Sequence, residues 1–210
     1  MFDKLVKIYD DFAKGERQLD LEQLSKEYQF SFKKRESFGI QPTDIKGFQV
    51  FAKKGSKRFL GILSRPTESF KGYLRFYDYL VTKDLETTTH SVVEIYNEQL
   101  FTDYFTIEPK GAFRKVKGFF MSEEKIFPRL KDFHSKFVIS SKDPDATTIL
   151  KPSVCKLMLA HPRITVEAEG NYYFFILRKK EMKVSDVVST VDFAEEFVRL
   201  LQFDVSDDFV

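Results

Sequence analysis

Asp78 lies within "GYLRFYDYLVTKDLETTTHSVVEIY", residues 72–96, on the strand face that otherwise carries Leu74, Phe76 and Leu80. A carboxylate among apolar neighbours resists ionisation and could act as a general acid or base, which would make the chain a hydrolase with a nearby Ser or Thr. A hydroxyl facing it would instead satisfy the ionised form and leave it structural, because buried polar groups are paired. Glu167 and Glu169 are a second acidic pair. Two residues apart on a strand face they stand about 7 Å from each other, a separation inverting glycosidases use and any solvated strand also produces. Cys155 shares a helical stretch with Val154, Leu157 and Met158, the setting of a buried, unreactive thiol. His90, His134 and His161 lack the spacing of metal ligands. The sequence contains no Gly-rich phosphate loop, nucleophile elbow or dinucleotide fingerprint. On these grounds no catalytic residue, metal or cofactor is assigned, and a non-enzymatic protein is favoured over the Asp78 hydrolase.

Residues 32–58, "FKKRESFGIQPTDIKGFQVFAKKGSKR", place eight basic and two acidic side chains among phenylalanines. Lys53, Lys54, Lys57 and Arg58 are the densest part. Such a stretch can bind single-stranded nucleic acid or an anionic membrane face. The plainer reading is that the lysines guard a hairpin turn and a sheet edge. The aromatic motif of an RNA-recognition sheet is missing, which disfavours nucleic acid.

The elements that must position these groups follow from periodicity. Residues 72–96 form a hairpin about a four-residue loop, Lys83-Asp84-Leu85-Glu86. That register sets Leu74 against Ile95, Phe76 against Val93, Asp78 against Ser91 and Leu80 against Thr89. The other face pairs Arg75 with Glu94, Tyr73 with Tyr96, and Tyr79 with His90 as a surface pair. Asp78 is then held by the Ser91 hydroxyl, with Thr89 diagonal to it. "RITVEAEGNYYFFILRKK" is a second hairpin about Gly170-Asn171, with Val166 opposite Phe175, Ile164 opposite Leu177 and Ala168 opposite Tyr173. Its return strand is apolar on both faces and therefore central. "GFQVFAKKGSKRFLGILS" reads as a third hairpin around Lys54-Gly55-Ser56, "DYFTIEP" as a strand stopped by Pro109, and "KFVISS" as another strand.

Phe2, Leu5, Tyr9 and Phe12 mark one face of an N-terminal helix ended by Gly15, followed by a second helix from Leu19 to Tyr28. A helix over 152–160 begins at Pro152. An amphipathic helix from Ser185, its cap, to Leu201 buries Val187, Val191, Ala194, Val198 and Leu201. Residues 110–132 follow no clear period. The fold class expected is α+β: an antiparallel, Phe-rich sheet with N-terminal helices and a C-terminal amphipathic helix packed on it. One domain spans 1–210, a helical segment over 1–30 and a sheet-rich core over 45–203.

Composition agrees with that class. The 24 Phe, 9 Tyr and absence of Trp suit strands and packed cores, and could also supply aromatic surface to a partner. A net charge of +2 is nearly neutral and evenly spread. One cysteine suits a reducing cytoplasm, and the frequent charges leave no membrane span or signal peptide.

"FQVFAKKGSKRFLGILS", "RFYDYLVTKDLETTTHSVVEI", "DYFTIEP", "FHSKFVISSKDPDATTIL" and "VEAEGNYYFFILRKK" resemble, in that order, a family of uncharacterised bacterial proteins. In that family a Phe-Asp-Tyr strand, a Thr-Val strand and a Phe-x-Leu-x-Pro-Glu segment succeed one another. Here Tyr77 separates Phe76 from Asp78, and Glu108 precedes the proline rather than following it. The resemblance covers about residues 45–201 and implies a bacterial origin, a domain of unknown function and no site residues. The expectation is a cytoplasmic binding or scaffolding module for a protein partner or small ligand. Its candidate binding residues are Asp78, Tyr79, His90, Lys53, Lys54, Lys57 and Arg58, with peripheral contact to an anionic surface through residues 32–58 as the third reading.

Overall fold

Alternating apolar residues along 72–96 build the centre of the sheet, and the remaining strands extend it on both sides. The computed structural model describes residues 2–37, 47–52, 54–67, 69–110, 131–141 and 151–202, and the backbone alone for 2–14 and Ser37. The order is α1 (Phe2–Glu27), β1 (Ser31–Ser37), β2 (Ser56–Pro66), β3 (Gly72–Lys83), β4 (Glu86–Asn97), β5 (Thr102–Pro109), α2 (Lys131–Lys136), β6 (Phe137–Ser141), α3 (Pro152–Ala160), β7 (Ile164–Gly170), β8 (Tyr172–Leu177) and α4 (Val184–Gln202). The strands form one antiparallel eight-stranded sheet in the order β1-β2-β3-β4-β8-β7-β5-β6. This is the expected α+β architecture.

Both hairpin registers hold. Leu74 faces Ile95, Phe76 Val93, Asp78 Ser91, Leu80 Thr89, Arg75 Glu94, Tyr73 Tyr96 and Tyr79 His90. Lys83 pairs with Glu86, so the loop tightens to Asp84-Leu85, both at positive φ as a twist-matched two-residue turn requires. Val166 faces Phe175, Ile164 Leu177 and Ala168 Tyr173. β8 lies inside the sheet between β4 and β7.

One face of the sheet carries the larger core. Leu63, Leu74, Phe76, Val93, Ile95, Phe105, Val166 and Phe175 meet Leu21 of α1, Phe133 of α2, Val154, Cys155 and Met158 of α3, and Val187, Val191, Ala194, Phe197 and Val198 of α4. Phe193 and Phe197 approach Phe175 edge-on, with centroids at 5.5 and 5.3 Å. The reverse face carries a smaller aromatic core of Phe48, Val50, Phe51, Ile62, Tyr77, Tyr79, Val81, Val92, Phe174 and Ile176. Aromatic side chains thus mainly fill cores; Phe101 at 75% exposed is an exception.

The structure departs from the sequence reading at three places. Residues 47–52 form successive turns, with Phe51 N–H donating to the Phe48 carbonyl at 3.1 Å and Ala52 N–H to that of Gln49 at 3.2 Å. They are not a hairpin arm, because Phe48, Val50 and Phe51 all enter the same core on one face of the sheet, and a strand turns adjacent residues to opposite faces. The antiparallel partners of β2 are β1 and β3. α1 runs unbroken through Gly15, where nothing stands within 4 Å of an added Cβ; one exposed glycine costs a helix only about 1 kcal/mol. Ser185 is inside α4 rather than at its cap, its hydroxyl donating to Asp186 Oδ1 at 3.1 Å. Of the unassigned stretch 110–132, residues 111–130 lie outside the described residues, as does the tail 203–210.

Candidate functional site

Asp78 is 2% exposed on the helix-covered face. Ser91 Oγ donates to its Oδ1 at 2.5 Å. The other donors come from Arg17 of α1 and not from Thr89: Nε to Oδ2 at 2.6 Å and Nη2 to Oδ1 at 3.0 Å, a bidentate fork. Arg17 Nη1 donates to the Met182 carbonyl at 2.6 Å, and Met182 N–H donates to Ser91 Oγ at 2.8 Å. One carboxylate therefore joins α1, β3, β4 and the segment leading into α4. Burial works against the Arg17 charge, and the hydrogen bond and field of Asp78 outweigh it, leaving the guanidinium above its ordinary value. A carboxylate held by three donors under a helix has no open side for a substrate.

Tyr79 and His90 do face one another, with ring centroids 6.2 Å apart, but both are buried on the reverse face rather than exposed. Phe51 packs edge-on over Tyr79 at 5.2 Å, which accounts for the burial. His90 Nδ1 accepts the Lys179 N–H at 3.1 Å. The structure thus puts Asp78 on one face and Tyr79 and His90 on the other. Among the basic residues, Lys57 donates from Nζ to the Phe51 carbonyl, and burial lowers its pKa. Lys54 and Arg58 are exposed, and Lys53 lies outside the described residues.

Glu167 and Glu169 are not an open pair. Glu167 is fully buried, and its carboxylate accepts the backbone N–H groups of Gln49 and Val50 and the Tyr104 hydroxyl. It clips the 47–52 turns onto the sheet. Burial raises its pKa against the pull of those donors. Glu94 on the same face accepts from Tyr77 at 2.9 Å and Tyr73 at 3.1 Å, and burial raises its pKa as well. Cys155 is buried in the larger core, which pushes its thiol up to about 12. His161 stacks on Phe193 at 4.0 Å, and burial lowers its pKa. Among the described residues no group of three or more His, Cys, Asp and Glu side chains could hold a metal ion.

An open concavity lies elsewhere. Where β1, β2 and β3 pass the end of the aromatic core, the reverse face forms a groove of about 830 Å³ lined by Ser31, Lys33, Glu36, Ile62, Tyr73 and Arg75, among others. Arg75 Nη2 donates to Glu36 Oε2 at 2.8 Å, and its guanidinium lies 5.9 Å from the Tyr77 ring centroid. Lys54, Lys57 and Arg58 do not line this groove, which the sequence reading misses because it takes β1 only as charge. It also missed Arg17. The available signal was a lone arginine one turn before Leu21 on the buried stripe of α1, matching a lone acid on the sheet.

Fold and side chains together define an α+β protein, an antiparallel sheet covered by helices on one face. No family model matches the chain, and no curated protein matches its sequence. Among solved structures it is similar to the crystal structure of the mycobacterial trehalose monomycolate transport factor A, TtfA, with a TM-score of 0.57 and 10% identity over 87% of this chain and 94% of that one. At that identity the likeness is one of fold. Among the described residues no helix is long and apolar enough to cross a membrane.

Proposed function

We propose that the chain is a non-enzymatic binding module, a single domain of bacterial, cytoplasmic origin whose ligand or protein partner is received in the groove over β1–β3. The observation that carries this reading is the groove itself, whose volume lies in the range of ligand sites and whose lining mixes apolar and charged groups. The Asp78 hydrolase is disfavoured by the Arg17 ion pair. The resemblance to the bacterial family and the likeness in fold to a transport factor are compatible with binding and identify no partner. Contact with an anionic surface through residues 32–58 retains Lys54 and Arg58 but not Lys57, whose ammonium caps a backbone carbonyl.

Amide chemical shifts in the presence of a small-fragment mixture test the reading. Perturbations should gather at Ser31–Glu36, Ser64, Arg65 and Tyr73–Arg75, and the double variant Arg17→Met with Asp78→Leu, which removes the acid without stranding its partner, should leave them in place. Shifts gathered at Asp78 and Ser91 and abolished by that variant would return the hydrolase reading.

A further inference from the structure

Resting on the binding reading and naming the partner's chemistry, we infer that β1 accepts an extended acidic segment of another protein as a ninth strand. β1 ends the sheet, with β2 as its neighbour. A terminal strand turns alternate N–H and C=O groups outward, where another chain can pair with them. The phase of that alternation follows from the registers. Lys83 and Glu86, on either side of the two-residue turn, are a hydrogen-bonded pair, so even-numbered β3 residues face β2, and Phe59, Ile62 and Ser64 face β1. Their partners Glu36, Lys33 and Ser31 therefore face β2, and Phe32 and Arg35 turn outward. The phase shifts at Lys34, where the Gln18 amide, oriented to satisfy both of its neighbours, donates to the Lys34 carbonyl at 3.0 Å and accepts from the Gly61 N–H at 3.1 Å.

Charge then selects the partner. Lys33, Lys34 and Arg35 are all exposed. A second copy of β1 pairing antiparallel about Lys34 would set Lys33 against Arg35 and Lys34 against itself, so like charges reject it. An acidic strand offers counter-ions to these side chains, of which Lys33 also lies 3.7 Å from Glu36 Oε2, and such charges fix its direction and register more than its affinity. Side-chain recognition is supplied at the rim of the groove, because every second residue of the added strand would project on the reverse face beside Lys33, which lines it. Backbone pairing with alternate side chains in a groove is the general mode of strand addition. The opposite edge offers less: β6 is five residues long, and Phe137, Ser140 and Ser141 on it are buried.

The test titrates a fluorescent peptide alternating Glu and Val against the full chain by anisotropy, with amide exchange read in parallel. Binding should slow exchange at Phe32 and Arg35 and weaken as salt rises. Lys33→Glu with Lys34→Glu should weaken it about tenfold or more. Arg35→Pro, which removes an outward N–H, should weaken it further than Arg35→Thr, which removes the charge alone. Equal effects of the Pro and Thr variants, or equal binding of a peptide alternating Glu and Gly-Pro that cannot form a strand, would overturn strand addition. Retention on anionic vesicles or single-stranded DNA that Arg35→Pro leaves intact, without peptide binding, would assign the charge to a polyanion and also overturn it. If a Thr-Val peptide or the fragment mixture still perturbs the groove while the acidic peptide does not, the inference fails and the binding reading stands.

Discussion

Asp78 and Arg17 set the strongest constraint carried by any one side chain. The two groups are nearly removed from water, with side-chain exposures of 3% and 13%, so each is stable only through the other. Arg17→Met leaves a buried carboxylate with the Ser91 hydroxyl as its remaining donor. Loss of one partner of such a pair costs about 3–5 kcal/mol, while replacing both by apolar side chains of similar size is often neutral. Urea denaturation should therefore show Arg17→Met strongly destabilised and the double variant Arg17→Met with Asp78→Leu restored by most of that amount. A single variant that costs no more than an ordinary surface change, about 0.5 kcal/mol, would mean the pair is not the anchor described.

Among the elements, turns and kinks carry the local strain. Leu85 is fully exposed at φ 69°, a left-handed conformation that an L side chain adopts at a cost and glycine does not. Leu85→Gly should stabilise the β3–β4 hairpin by about 0.5–1 kcal/mol, read as a higher melting temperature. Gly61 is the opposite case. It sits at φ 59° where β2 shifts register against β3, and an added Cβ would stand 2.5 Å from Leu21 Cδ1. Gly61→Ala should cost about 1–3 kcal/mol, and Leu21→Ala in the same chain should recover little, because the φ constraint remains. These elements differ in how far sequence exposes them. The β3–β4 register was legible because a slip by one residue would both scatter Leu74, Phe76 and Leu80 and separate Arg75 from Glu94. The fate of Phe48, Val50 and Phe51 was not, because the group that holds them, Glu167, lies more than a hundred positions away and reads as an ordinary strand carboxylate. Arg17 was hidden for the same reason: local patterning reports which face a residue occupies, and long-range pairs report only through the fold.

At the scale of the whole molecule, the sheet divides its polar work between faces. The helix side buries Asp78 against a cation that α1 brings to it, whereas the reverse side buries Glu94 and Glu167 against hydroxyls and backbone amides and only Glu108 of these acids against a cation, Arg178 at 2.8 Å. That difference has a pH signature. Burial raises the folded-state pKa of both Glu94 and Glu167 above the ordinary carboxylate value. A folded state that binds a proton more tightly than the unfolded chain gains stability below the unfolded pKa and loses it as pH rises through the folded one. Each group can contribute a slope of up to about 1.4 kcal/mol per pH unit within that window. A second loss belongs above about pH 9, where Cys155 and the buried tyrosines Tyr73, Tyr77 and Tyr104 ionise in the unfolded chain before they do in the folded one. Glu196, whose pKa Arg199 lowers, works in the other direction, so the two buried acids are isolated by difference. Urea midpoints of wild type, Glu94→Gln and Glu167→Gln across pH 4 to 8 should show each variant gaining on wild type as pH rises. Glu167→Gln should also speed amide exchange at Gln49 and Val50, which Glu94→Gln should not. Variants that instead lose ground with rising pH would mean that hydrogen bonds to the ionised carboxylates outweigh burial, and that the reverse face binds its charges as firmly as Arg17 binds Asp78.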